Sequence, residues 1–382
     1  MMKRIGIILL FALAACTARA PLSQRIVESE IARCPDATYL DGQQGKLKWN
    51  YTTGLELNAF LEAGYVDYVS TWYDAIIDST GAIGGKYRKE NYSSDHICPG
   101  VALLKLCEAG GEKRYKTALD TLYSQIRHMP RTPEGGFWHK KIYPNQMWLD
   151  GLYMVEPFYA AYTCRFVSDP AEKQSNLDDI AAQFSLIREK TCDSSTGLLR
   201  HAWDSSREMF WCDKTTGRSA HCWGRALGWY MMALVDVIEI IPGGECRDRL
   251  AAIFKELWET IPAYADPVTG MWYQVMDAPG REGNYLEASC SAMFAYSRLK
   301  GVRLGLLQDK KAAVDTFKGL LRTFVSEKDG LVTLHSCCEV AGLGGKQKRS
   351  GDYDYYINER VCDNDPKGIG PLIMAALEYE IL

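Results

Sequence analysis

The chain has 382 residues, 47% of them hydrophobic, with 44 basic and 48 acidic side chains and a formal net charge of −4. That balance leaves no electrostatic footprint for nucleic acid or for an anionic membrane surface, while the apolar share is enough for a sizeable core. Thirteen cysteines at irregular spacing, no Cys-x-x-Cys pair and six scattered histidines carry no zinc or cluster signature. Most of these thiols read as small buried hydrophobes.

The N-terminus reads as a targeting segment. Met1-Met2-Lys3-Arg4 supplies positive charge, and Ile5 to Leu13 an apolar run too short to span a bilayer. Leu13-Ala14-Ala15-Cys16 resembles a bacterial lipoprotein box. It implies cleavage before Cys16 and lipidation of its thiol; a plain secretory signal cut nearby is the alternative. Residues 1–15 are therefore expected to be a signal peptide, 16–29 a lipidated cysteine with its tether, and 30–382 one folded domain. The expected location is the bacterial periplasm or cell envelope, with membrane contact only through the anchor.

Apolar spacing predicts a helix over 49–73 and another from a Ser93-Ser94-Asp95 cap through Leu106. Further helices are predicted over 113–127, from an Asn145 cap through Arg165, and over 177–189, 219–241, 246–263, 289–300, 310–325 and 369–379. No long alternating strand pattern appears. Between helices a Gly-centred turn recurs at Gly81, Gly135, Gly197, Gly270 and Gly330, at gaps of 54, 62, 73 and 60 residues. Each gap holds two helices and two loops. Helix pairs repeated in this way cannot bury their apolar faces singly, so they stack or close into a ring. The expected fold is all-α, an (α/α)6 barrel of six hairpins with one loop of every unit at the same end.

Several residues stand out as carriers of chemistry. Asp150 follows Gln146-Met147-Trp148-Leu149 on a predicted helix. Desolvation among Trp148, Met147 and Tyr153 would raise its pKa, as a general acid requires; a carboxylate that merely complements the helix dipole is the alternative. Asp95 is a second carboxylate or a simple N-cap. Arg225 and Trp229 are four apart on one helix face, in Trp223-Gly224-Arg225-Ala226-Leu227-Gly228-Trp229. They read as a carboxylate clamp and a ring-stacking platform, or as a structural Arg tying a loop. His139 and His201 occupy equivalent loop positions in two repeats, which points both at one cavity.

Phe137-Trp138-His139-Lys140, with Gln146 through Met154, resembles the signature of the unsaturated rhamnogalacturonyl hydrolases, glycoside hydrolase family 105. The Trp223–Trp229 stretch, Val340-Ala341-Gly342-Leu343-Gly344-Gly345 and Asn364-Asp365-Pro366-Lys367-Gly368-Ile369-Gly370-Pro371 are similar to its later blocks, and they run in family order. The resemblance implies a six-hairpin barrel. It also implies hydration of the C4=C5 double bond that lyases leave in a terminal uronic acid, with no metal or organic cofactor. On the matching positions, Asp150 is the general acid/base and Asp95 the second carboxylate. His139, Trp148, His201, Trp223, Arg225 and Trp229 are substrate-binding, with Trp49 or Tyr51 supplying a stacking ring. Arg225 is expected to hold the sugar carboxylate.

Two stretches depart from the family pattern, Leu334-His335-Ser336-Cys337-Cys338 and Glu287-Ala288-Ser289-Cys290-Ser291. Both are expected at the cavity mouth, with His335 contacting substrate and basic 346–349 meeting an acidic leaving group. The expected partner is an unsaturated pectic oligosaccharide. Two alternatives stay open: the same chemistry on unsaturated glucuronyl residues, as in the related family 88, and a non-catalytic sugar-binding lipoprotein.

Overall fold

The computed structural model describes residues 19–40, 47–110 and 112–382. The expected signal peptide and lipidated Cys16 lie outside them. Thirteen helices are described: α1 Leu22–Arg33, α2 Tyr51–Glu62, α3 Val66–Ile76, α4 Gly100–Glu108, α5 Lys113–Arg127, α6 Leu149–Phe166, α7 Pro170–Thr191, α8 Gly224–Ile240, α9 Glu245–Thr260, α10 Ala288–Arg303, α11 Lys310–Phe324, α12 Tyr353–Ile357 and α13 Pro366–Ile381. Three two-stranded ribbons join loops: β1 Gln146–Trp148 with β2 Ala202–Asp204, β3 Val325–Lys328 with β4 Leu331–Leu334, and β5 Cys337–Cys338 with β6 Val361–Cys362. No described helix is long and apolar enough to cross a membrane.

The helices alternate between two concentric rings. Helices α2, α4, α6, α8, α10 and α13 touch in sequence, and α13 returns to α2, which closes the inner ring. Each packs on an outer partner: α3, α5, α7, α9 and α11 follow their inner helices, while α1 pairs with α13. The sixth hairpin is thus made from the two ends of the chain. It is fastened by Ser23 Oγ donating to Glu380 at 2.6 Å and by the Val332 N–H donating to Ser29 Oγ at 2.8 Å. Composition follows position. Inner α8 is buried nearly all round, whereas outer α5 buries one face through Tyr115, Ala118, Leu119, Leu122 and Ile126. Gly224 and Gly228 let α8 approach α10, because a Cβ there would stand 2.9 Å from Cys290 Sγ and 2.7 Å from Met293 Sδ.

The recurrent turn is the punctuation between an outer helix and the next inner one. All five glycines have positive φ. In three of the turns an aspartate accepts from a backbone N–H two or three residues on: Asp78 from Thr80, Asp193 from Ser195 and Asp266 from Thr269. A further copy, Asp213 to Gly217, lies inside the long 73-residue gap and escaped the sequence count. Because every such loop precedes an inner helix, the N-termini of all six inner helices meet at one end.

Other expectations shift. The predicted 49–73 helix is two, broken at Gly64 with φ +91°. Helix α1 starts at Leu22, within the stretch read as a tether, and buries Ile26 and Val27. Pro99 delays α4, so Asp95 sits in a 3-10 turn before it. Asn145 has φ +61° and caps nothing; α6 begins at Leu149, putting Asp150 on its first turn.

Candidate active site

A cavity of about 300 Å³ opens at the end where the inner helices begin. Its walls carry Tyr51 from the start of α2, Asp95 from the turn before α4, Asp150 from α6 and Lys367 from α13. The β1–β2 ribbon assembles one side. Trp148 pairs with Ala202, and the Leu149 N–H donates to the His201 carbonyl at 3.0 Å, which sets His201 beside Asp150. The His139 N–H donates to the Gln146 carbonyl at 2.8 Å. Three rings then stack: His139 on Trp148 at 4.4 Å between centroids, and Trp148 on Tyr143 at 5.0 Å. Trp148, Tyr143 and His139 all line the cavity.

Charge in the cavity is arranged in pairs. Lys140 Nζ reaches Asp95 Oδ2 at 2.5 Å. Burial would raise the Asp95 pKa, but Lys140 and then His139 outweigh it and hold the carboxyl below its usual range. Asp95 is therefore an anion. His139 is pushed down to about 4, chiefly by burial and then by Lys140; its Nδ1 lies 3.0 Å from Ser94 Oγ. Lys367 Nζ is 2.8 Å from Asp365 Oδ1. Arg349 also lines the cavity, has no carboxylate partner among the described residues, and has a buried Nε without a hydrogen bond.

Asp150 behaves differently from the sequence expectation. Burial is the largest single influence and pushes its pKa up, yet His201, His139 and a backbone hydrogen bond together outweigh it and the net direction is down. His201 Nε2 and Asp150 Oδ2 are 3.1 Å apart. At that distance the ring N–H is out of line with the oxygen, so neither atom is satisfied; proton-transfer pairs commonly align only once substrate closes on them. His201 is fully buried behind Asp150, with Nδ1 2.7 Å from the Tyr356 hydroxyl.

Of the predicted substrate contacts, Tyr51, His139 and Trp148 line the cavity together with Asp95 and Asp150. The others do not. Trp49 is 1% exposed; it stacks on Trp72 and donates Nε1–H to the His96 carbonyl. Tyr51 is thus the ring that faces the cavity. Arg225 is 1% exposed, donating from Nη1 to the Cys338 carbonyl and to Ser289 Oγ. Its guanidinium lies over Trp223, whose Nε1–H donates to Gln274 Oε1 at 3.0 Å. Trp229 is buried between Tyr51 and Tyr153. The Arg225/Trp229 clamp is corrected to a brace beneath the cavity: residues near an inner-helix start can point sideways into the ring as readily as up. His201 likewise buttresses Asp150. His335 is half-exposed, held by Ser326 and Asp363 away from the cavity lining. Glu287 and Ser289 are fully buried, so that stretch is floor, not mouth; Glu287 caps α10 and accepts from the Cys338 N–H.

Sequence reasoning passed over Tyr143, Lys48, Glu339 and Lys367 as lining residues. The signal for some was present, since Val340-Ala341 and Asp365-Pro366-Lys367 belong to the quoted C-terminal blocks and both line or flank the cavity.

A family profile described as Glycosyl Hydrolase Family 88 matches residues 22–382. The structure of a glycoside hydrolase from family 105 of C. acetobutylicum is 42% identical, covers 95% of this chain and 100% of its own, and superposes with a TM-score of 0.89. Protein Atu3128 of Agrobacterium fabrum is 39% identical over 215 residues, which are 54% of this chain and 91% of that protein. An unsaturated glucuronyl hydrolase from Bacillus sp. GL1, described as responsible for glycosaminoglycan degradation, shares the fold at 14% identity, 94% and 97% coverage and a TM-score of 0.61. The matched span takes in the whole ring of helices and every cavity residue, and the chain belongs to the glycoside hydrolases of families 88 and 105.

Proposed function

We propose that this hydrolase removes a 4,5-unsaturated uronic acid from the non-reducing end of lyase-generated oligosaccharides, with pectic, rhamnogalacturonan-type products as the first substrate class. The observation that carries the reading is the inequality of the two cavity carboxyls. Asp95 is ion-paired with Lys140, while Asp150 faces the cavity with an imidazole behind it and, among the described residues, no cationic side chain paired to it. One proton donor and one fixed anion suit vinyl-ether hydration better than a pair that shares nucleophile and acid roles. Asp150 protonates C4. Positive charge develops at C5 and the ring oxygen, where the Asp95 carboxylate stabilises it. Water adds at C5 and returns a proton to Asp150, and the hemiketal opens to release the saturated sugar. Tyr51 and the His139–Trp148–Tyr143 stack offer ring faces for the sugars. Loss of double-bond absorbance across a panel of lyase products tests the reading; inertness toward all of them, or cleavage of saturated glycosides, sinks it.

The uronate carboxylate needs a cation, and Arg225 is engaged elsewhere. Arg349 is the cavity guanidinium left unpaired among the described residues, so it takes the carboxylate. Arg349→Gln should raise KM about 10- to 100-fold, matching ~1.5–3 kcal/mol for a charged hydrogen bond, with kcat changed much less. An unchanged KM in steady-state kinetics removes Arg349 from this role.

A second reading is the same hydration on unsaturated glucuronyl residues. It is favoured by the family 88 match and by what the Bacillus relative acts on. The substrate panel separates the two. We also propose export as a lipoprotein on the strength of Leu13-Ala14-Ala15-Cys16. Cys16→Ala should shift the protein from the membrane fraction to the soluble one; a wild type that is already soluble refutes it.

A further inference from the structure

We propose that Tyr356 is a positioning residue that sets the tautomer of His201 and thereby keeps the transferable proton of Asp150 on the oxygen facing the cavity. This rests on Asp150 being the proton donor. The observation is a buried chain of three groups. Asp150 Oδ2 lies 3.1 Å from His201 Nε2, and His201 Nδ1 lies 2.7 Å from the Tyr356 hydroxyl. His201 and Tyr356 are fully buried. Asp150 Oδ2 is buried too, while the side chain as a whole keeps 13% exposure and lines the cavity, which leaves Oδ1 as the oxygen with access.

Tyr356 is well held. It comes from α12, its ring stacks on Trp223 at 6.0 Å, and its carbonyl accepts from Gln274 Nε2 at 3.2 Å. Burial keeps the phenol protonated. Among the described residues, His201 Nδ1 is the one hydrogen-bond partner of its hydroxyl. The phenol proton therefore points at Nδ1, and the ring's own proton is on Nε2. Nε2–H lies 3.1 Å from Asp150 Oδ2 but out of line with it, and that oxygen becomes its obligatory acceptor once bound substrate aligns the pair. When Asp150 is protonated the proton must sit on Oδ1, toward C4 of the sugar. In the opposite tautomer Nε2 is bare and accepts the proton from Oδ2, which turns it away from the substrate. Through the cycle Oδ1–H gives its proton to C4, the water adding at C5 returns one to Asp150, and His201 and Tyr356 exchange no net proton.

Other titratable groups reaching this trio are His139, Tyr51, Tyr355, Cys222 and Asp277. Asp277 is occupied by His221 at 3.0 Å, and a Tyr356 substitution changes none of them. The test is Tyr356→Phe, which keeps the stacked ring and removes only the hydroxyl. In ¹⁵N-histidine-labelled protein, with His201 assigned by difference against His201→Asn, the wild type should show the Nε2–H tautomer. Tyr356→Phe should show a mixture with Nδ1–H. Its kcat should fall about 10- to 100-fold, part of what a general acid supplies, with KM within about two-fold at an unchanged melting temperature. The alkaline limb of kcat should move to higher pH, because a bare Nε2 favours neutral Asp150. A wild-type Nδ1–H tautomer, or a Tyr356→Phe enzyme matching wild type in kcat and limb, overturns the proposal. Failure of the wild type to consume any unsaturated product would instead strike the functional reading, and the tautomer would still be decided by the spectra.

Discussion

Asp150→Asn is expected to lower turnover of the unsaturated product by at least ~10²–10⁴-fold, the range for losing a general acid. The amide keeps the shape of the carboxyl and leaves Arg349, Tyr51 and the Trp148 stack in place, so substrate binding should persist. Calorimetric binding with no consumption of the double bond is the expected pair of results. The resting enzyme holds Asp150 ionised, because His201, His139 and a backbone hydrogen bond together outweigh burial. An arriving uronate carboxylate and the expulsion of water both favour the neutral acid. The wild-type rate should therefore fall as pH rises through the Asp150 pKa of the complex. A variant that retains near wild-type turnover, or a rate that climbs through that range, would show that another group delivers the proton.

Lys300→Met is expected to be the most destabilising single change at the opposite end of the barrel. There Lys300 Nζ lies 2.7 Å from both Asp236 and Glu239 and 2.9 Å from the Tyr296 hydroxyl. Burial already raises the Asp236 pKa, and Lys300 is what opposes it. Removing the ammonium leaves a buried carboxylate without its cation, a loss of about 3–5 kcal/mol. Glu239 keeps Arg303 at 2.8 Å, so the deficit falls on Asp236. Urea unfolding should show the loss, and the double variant Lys300→Met/Asp236→Asn should recover much of it, since the two sites couple directly. Catalysis by the folded fraction should be unaffected, because Lys300 is near the C-terminal end of α10 and the cavity lies at the other end of the ring. A single variant within ~1 kcal/mol of wild type would mean the cluster is solvated rather than buried.

The all-helical ring was legible in advance because its cause is local. A Gly with positive φ after each of α3, α5, α7, α9 and α11, with an aspartate often accepting from the next backbone N–H groups, writes the repeat directly into the sequence. Asp150, Asp95, His139 and Trp148 were legible for a related reason: all sit on loops or first turns that the repeat sends to one end. Periodicity could not go further. Helix α8 is buried on nearly every face, so spacing along it does not tell which of Trp223, Arg225 and Trp229 looks into the cavity; packing against α10, Tyr51 and Tyr153 decides that, and none does. The sign of the Asp150 shift likewise depended on His201, 51 residues away, being set beside it by the β1–β2 ribbon. Arg349 reaches the cavity on a loop whose position is set by the closing of the ring, and Tyr356 meets His201 across 155 residues. Fold class and the carboxylate pair thus follow from local chemistry repeated along the chain. Side-chain direction, ion pairing and proton ownership follow from contacts between distant segments, which only the closed ring brings within a few ångström.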